Sequence, residues 1–216
     1  MSLSLINIAK KFNRDWVFRN ANYQFEIPGS YVIQGPNGSG KSTLLKILSG
    51  FLTPTEGELK LLINSNHIAT ENWSNHIAYA APYYELIEEM YLEEFVSFYI
   101  KFKPLQKGIS QHDLIKIAYL EEAKDKQIKN FSSGMKQRLK LALAWLSDVS
   151  VVLLDEPSSN LDATGIEWYK NLAKEYSKNK LVIVCSNHIE DEFSFCKKSL
   201  DMDKLFKYPA HKKFIS

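Results

Sequence analysis

The sequence predicts an α/β fold built on a mostly parallel sheet, and three observations predict it. The first is a nine-residue loop, Gly35-Pro36-Asn37-Gly38-Ser39-Gly40-Lys41-Ser42-Thr43, set between a short apolar run and a stretch of helical spacing. The second is a pair of nearly continuous apolar runs, residues 151–154 and 181–185, rich in Val, Leu and Ile. Strands of that composition are buried on both faces, as in a parallel sheet. The third lies between those runs, where Trp168, Leu172 and Tyr176 recur four residues apart across residues 163–177. That spacing predicts a crossover helix, so residues 151–185 form a β-α-β unit.

The remaining elements follow in chain order. Leu3, Leu5, Ile6 and Ile8 predict an opening strand. Tyr23, Phe25 and Ile27 alternate with polar residues and predict a second over residues 22–27. Pro28 and Gly29 turn the chain, residues 31–34 form the strand that feeds the loop, and residues 43–52 continue as a helix opening near Lys41. Pro54 and Gly57 break it, and residues 58–63 and 77–81 supply further strands. Residues 82–130 read as a helical insertion punctuated by Pro104 and Gly108. Within it, Phe95, Phe98, Tyr99 and Phe102 form an aromatic stripe at helical spacing, a pattern that predicts core.

Composition narrows the class. A chain of 216 residues, 45% hydrophobic and 24% charged, suits one globular domain and excludes a fibrous or disordered one. No apolar run approaches the roughly 18 residues of a membrane-spanning helix, and the start reads as neither signal peptide nor anchor. Cys185 and Cys196 make no disulfide framework or metal spacing; they suit a reducing, cytoplasmic compartment and are expected to be buried. A net charge of +2 argues neither for nor against nucleic acid. Its distribution is uneven: residues 85–94 hold five glutamates and no basic residue, and residues 197–216 hold six lysines against two aspartates.

The glycine-rich loop fits the phosphate-binding pattern G-x-x-x-x-G-K-[ST] in full. Its glycines free the backbone to turn successive N–H groups inward around a phosphate, and the following helix adds its positive end. Lys41 is placed to reach the β- and γ-phosphates, and the Ser42 hydroxyl to ligate the magnesium ion that bridges them. The run at residues 151–154 ends in Asp155-Glu156-Pro157, acids at the end of a buried strand, where ligands bind in such sheets. Asp155 is the second candidate magnesium ligand, through water, and Glu156 the candidate for orienting an attacking water. Assistance of that kind is worth about 10²- to 10⁴-fold in rate.

Phe131-Ser132-Ser133-Gly134-Met135-Lys136-Gln137-Arg138-Leu139 then resembles the signature of the ATP-binding-cassette (ABC) ATPases, usually LSGGQ followed by x-Q-R. Phe131, Ser133 and Met135 depart from that pattern; Ser132, Gly134, Gln137 and Arg138 keep it. The resemblance covers about residues 3–202 and implies a P-loop NTPase core, an N-terminal antiparallel β subdomain and a helical signature subdomain. It implies one cassette over residues 1–216, with core at 1–82 and 138–216 and the helical insertion at 83–137. It also implies a head-to-tail sandwich in which the signature of one subunit, residues Ser132, Ser133, Gly134 and Met135, covers the γ-phosphate bound by another. Ser159-Asn160-Leu161-Asp162 is similar to the family's D-loop, Asp162 doubling as a helix N-cap, and His188 matches its switch histidine. Phe12 stands where the family places an aromatic on adenine, with Trp16 as the alternative; His67, His76, His112 and His211 match nothing. Where the family has a magnesium-binding glutamine this chain has Pro82, leaving the metal to Ser42, phosphates and water, or to Glu85.

ATP and Mg²⁺ are therefore the expected ligands, and the expected function is the ATP-hydrolysing subunit of a transporter. Its expected partners are a second cassette, in the first instance another copy, and a separate membrane-spanning permease holding it at the cytoplasmic face. The acidic and aromatic surface at residues 83–94 is the expected seat of a basic coupling helix. Two rival readings are a soluble ABC ATPase acting on ribosomes or nucleic acid, against which the lack of a second cassette, coiled coil or zinc insertion weighs, and a regulatory cassette without hydrolysis.

Overall fold

The computed structural model describes residues 1–205. The chain opens with β1 (Ser2–Phe12) and β2 (Asp15–Glu26), an antiparallel pair. The second strand starts seven residues before the point its alternation suggests, because Asn7 and Asn20 adopt left-handed φ values of 50° and 56°. Register shifts beside these residues break the period-two pattern within a continuous strand. Next come β3 (Gly29–Gln34), α1 (Lys41–Leu48), β4 (Glu56–Ile63) and β5 (Asn66–Ile68). The last was not expected from its composition, but Asn64 and Ser65 both have positive φ, the requirement of a tight two-residue hairpin turn. After β6 (Ile77–Ala80) the chain becomes helical: α2 (Leu92–Phe102), α3 (Gln111–Ile117) and α4 (Ser133–Leu146). It closes with β7 (Val151–Asp155), α5 (Ala163–Tyr176), β8 (Leu181–Ser186), β9 (Lys198–Asp201) and a short α6 (Met202–Leu205).

Two sheets result. The antiparallel one runs β2-β1-β4-β5, and the parallel one β6-β7-β8-β3-β9. Alternate residues of β7 and β8 enter different cores. Val152, Leu154, Val182 and Val184 pack with the helical side of the molecule, while Val151, Leu153, Leu181 and Ile183 pack with α1 and the antiparallel sheet. Fully burying each such side chain is worth about 1.5–3 kcal/mol, which is why both strands read as unbroken apolar runs. The β-α-β unit and the α/β class are as expected. The unforeseen β9 lies at the edge of the parallel sheet and carries Lys198, a charge that discourages further strand pairing.

Two expectations need correcting. The aromatic stripe of α2 is core only in part: Phe95 is buried, but Phe98 and Phe102 are 39% and 67% exposed. Those rings lie on the side of α2 facing an open groove shared with Phe51, Tyr79 and Tyr84. Of the cysteines, Cys185 is fully buried and Cys196 half-buried, its thiol pushed up to about 12 by burial. His211 and the end of the lysine-rich segment lie outside the described residues.

Candidate nucleotide site

Three loops leave the parallel sheet side by side. The register pairs Gln34 with Ser186 and Asp155 with Cys185, so the segments following β3, β7 and β8 emerge at one level. Such a row of carboxyl ends is where open α/β sheets bind ligands.

The glycine-rich loop follows β3. Gly38 and Gly40 have φ of 81° and 97°, and a Cβ on Gly40 would stand 2.7 Å from Val17 Cγ1, so both conformation and space demand glycine. Lys41 is buried, and its ammonium donates to the carbonyls of Gly35 (2.6 Å) and Pro36 (3.0 Å), curling the loop around itself. Pro36, Asn37 and Gly38 are exposed, and Ser42 and Thr43 begin α1 half-buried. No side chain caps α1, and the Ser39 hydroxyl is buried without a partner. Uncapped helical N–H groups, an unpaired hydroxyl and an adjacent ammonium together suit a polyphosphate.

Asp155 ends β7 at 1% exposure. Its Oδ2 accepts a hydrogen bond of 2.5 Å from the Tyr83 hydroxyl, and its Oδ1 is buried with no partner. An orphaned carboxylate oxygen on Asp155 and the Ser42 hydroxyl at the start of α1 are hard-oxygen donors of the kind magnesium takes, so the residues fit that ion. Among the described residues no group of three His, Cys, Asp or Glu forms a metal cluster of another type. Glu156 follows at φ 43°, its N–H bonded to Cys185 O. Asn160 and His188 are also left-handed, at 65° and 61°. A non-glycine residue held there costs on the order of 1–3 kcal/mol, and such strain concentrates where side chains must be aimed. His188 is exposed just beyond β8.

The signature residues sit at the opening of α4. Ser132 is its N-cap, accepting from the Met135 N–H at 3.2 Å, and Ser132 and Ser133 are exposed. A Cβ on Gly134 would come within 3.0 Å of Asn160 O, so glycine lets the helix start lie against the loop after β7. Gln137, fully buried, donates to Pro157 O at 3.0 Å and fixes the two segments together. Asp162 caps α5, its Oδ1 accepting from the Gly165 N–H and the Thr164 hydroxyl, and the backbone bond holds its carboxyl below the usual range. Phe12, 49% exposed, stands at the tip of the β1–β2 hairpin under the Lys10 ammonium. Trp16 lies opposite Lys11 in the same hairpin and stacks with Arg19.

Two residues of the site were missed in the sequence. Glu192, fully buried, accepts at Oε1 from both the N–H and the hydroxyl of Ser158, linking the segment after His188 to the loop after Glu156. Its carboxyl is pushed up by burial. The other is Tyr83, which meets Asp155 from 72 positions away, a distance no local pattern reveals. Its phenol is pushed up chiefly by burial and then by the bond to Asp155, so it stays a protonated donor; a further contact reaches Ser42. Glu85, by contrast, is exposed and lines the aromatic groove.

A phosphate-binding loop, a strand-end acid pair and a helix-borne signature on one sheet define a P-loop ATPase of cassette type. The comparisons with known proteins agree. The ABC transporter family profile matches residues 18–159. The chain is 32% identical over 209 residues to the uncharacterized ABC transporter ATP-binding protein YybJ of Bacillus subtilis (strain 168), covering 93% of this chain and 92% of that one. It is 28% identical over 195 residues to the lantibiotic transport ATP-binding protein SrtF of Streptococcus pyogenes, covering 88% and 81%. Among solved structures, the dimeric MJ0796, a bacterial ABC transporter cassette, superposes with a TM-score of 0.78 at 25% identity over 93% of this chain and 94% of that one. This chain belongs to the ABC transporter family, as an ATP-binding and hydrolysing subunit.

Proposed function

We propose that the chain works as one cassette over its whole length, paired head-to-tail with a second copy, hydrolysing Mg-ATP to drive a separate membrane-spanning partner. The observation that carries this reading is the exposed opening of α4. Ser132 and Ser133 face solvent, and Gly134 presses that opening on Asn160, in the loop that follows β7 of the same chain. A helix start with anion-binding geometry and no anion site of its own suits a phosphate brought by another subunit.

Within this reading each residue has a task. Residues Gly35, Pro36, Asn37, Gly38, Ser39, Gly40, Lys41, Ser42 and Thr43 wrap the phosphates, Lys41 transferring its donors from the loop carbonyls to the β- and γ-oxygens. Ser42 and Asp155 hold Mg²⁺, which supplies charge neutralisation on those oxygens. Glu156 accepts a proton from the attacking water, and His188 hydrogen-bonds the γ-phosphate. Across the interface, Ser132, Ser133, Gly134 and Met135 close over that phosphate, with Asp162 at the contact; Phe12 stacks on adenine. ATP thereby adds contacts available only in the closed dimer, and hydrolysis removes them.

Among the described residues no helix is long and apolar enough to cross a membrane; in this reading coupling to transport runs through the separate partner, at the membrane's cytoplasmic face. Its seat in this reading is the groove lined by Phe51, Tyr84, Ile87, Phe98 and Phe102, with Glu85 as the acid along it. The glutamates of residues 83–94 contribute less charge than their number suggests. Glu88 is paired with Lys136 at 2.5 Å, and Glu94 turns back onto the Tyr91 N–H in the first turn of α2. Lys103 and Lys140 also line the groove, so a helix with an apolar face and a single basic residue opposite Glu85 fits this lining better than a uniformly basic one.

The test is Ser132→Arg. Binding of a fluorescent ATP analogue to the monomer should stay within about twofold of wild type, while Mg²⁺-dependent hydrolysis falls by about 100-fold or more, the loss expected when a preorganised site for the reacting phosphate is removed. Hydrolysis that survives this change would show that the signature does not complete a partner's site.

A further inference from the structure

Resting on the assignment of Asp155 and Ser42 as the metal-binding pair, we infer that Tyr83 is a positioning residue for that pair, and that Tyr79 connects it to the aromatic groove. Pro82, where the family's glutamine would stand, has neither side-chain oxygen nor N–H to offer. The very next residue fills the gap from a different direction. The Tyr83 hydroxyl donates to Asp155 Oδ2, and because a phenol has one proton, the hydroxyl–hydroxyl bond to Tyr79 must run from Tyr79 to Tyr83. A directed chain therefore reads Tyr79 O–H to Tyr83 oxygen, and Tyr83 O–H to Asp155.

Three contacts hold Tyr83 in place to do this. The Lys46 ammonium from α1 stands 4.5 Å from the centre of its ring. Ser42, the other candidate ligand, interacts with its phenol. The backbone just before it is fastened to the signature helix, since Lys140 of α4 donates to the carbonyls of Pro82 (2.6 Å) and Ala81 (3.3 Å). Tyr83 thus touches α1 and β7 with its side chain and α4 through its own segment.

The consequence for Asp155 is geometric. With Oδ2 taken by the phenol, Oδ1, buried and unpaired, is the carboxylate oxygen that remains for a cation. Outer-shell partners of this kind typically alter metal affinity by about 10- to 100-fold. At its other end the chain reaches the groove: the Tyr79 ring lies 5.9 Å from Phe51 and 6.3 Å from Tyr84, both groove-lining. A shift in those rings and a change at the metal pair therefore share one hydrogen-bonded path, the part for which a glutamine is missing.

The experiment measures metal dependence rather than turnover. A fluorescent ATP analogue is held at fixed concentration and Mn²⁺ is titrated against wild type, Tyr83→Phe, Tyr79→Phe and the double variant, with thermal unfolding confirming that each is folded. Tyr83→Phe should raise the Mn²⁺ concentration for half-maximal binding about tenfold and leave metal-free binding unchanged. Tyr79→Phe should give a smaller shift in the same direction, and the double variant should match Tyr83→Phe, because Tyr79 acts through it. A Tyr83→Phe midpoint within twofold of wild type, or shifts that multiply in the double variant, would overturn the relay while leaving the metal pair standing. A wild type whose nucleotide binding ignores Mn²⁺ would overturn the metal pair itself, and the relay with it.

Discussion

Lys41 is the residue whose chemistry is most constrained by its surroundings. A buried ammonium needs acceptors, and here it finds two loop carbonyls, Gly35 and Pro36. In the proposed reading it is thus preformed at the centre of the loop, to exchange those acceptors for phosphate oxygens. Hydrogen bonds to a charged group are worth about 1.5–3 kcal/mol, so Lys41→Met should weaken binding of a fluorescent ATP analogue by about 10- to 100-fold in an equilibrium titration. The loop was legible in the sequence because this chemistry fixes residue types at set spacings. Asp155 and Glu156 were legible for a related reason, as acids closing an apolar strand. Tyr83 was not, because its role depends on which strands lie side by side. Its sequence neighbourhood, two tyrosines among glutamates, suggests only a solvated surface.

At the scale of elements, polar side chains tie helix ends to the sheet. Lys180, just before β8, donates to the carbonyls of Trp145 and Ser147 at 2.9 and 2.8 Å, satisfying groups left open where α4 ends and placing a cation at its negative pole. Burial pushes this lysine down to about 8 from 10.5. Between those values the unfolded chain binds more protons than the folded one, so this group makes stability rise with pH across the window. Below about 8 that contribution is lost. In urea unfolding followed from pH 7.5 to about 10.5, the stability difference between wild type and Lys180→Met should therefore shift in favour of wild type as pH rises; a constant difference would contradict the assignment. Element types were the most legible level of the sequence, since β7 and β8 announce themselves by unbroken apolar runs. Element lengths were less so: asparagines in left-handed conformations let β1 and β2 run on through positions where alternation fails. The stripe on α2 shows the limit of periodicity, which marks Phe98 and Phe102 as apolar but does not say whether this chain or another covers them.

For the whole molecule, the parallel sheet is the common frame. It brings the loops after β3, β7 and β8 to one edge, while α4 carries the signature to the loop after β7, held by Gln137 and by the close approach of Gly134 to Asn160. The class of fold could be read from three sequence features, but an exposed signature docked on the loop after β7 is a property of the assembled chain. That exposed signature is the reason to expect function in pairs. The most direct measurement is size-exclusion chromatography with light scattering of Glu156→Gln, with and without ATP and Mg²⁺. On the role proposed for Glu156, removing its carboxylate leaves the γ-phosphate in place, so the variant should elute near 24.9 kDa alone and at about twice that mass with ATP. A Glu156→Gln protein that binds ATP yet remains at the mass of a single chain would contradict the two-subunit site.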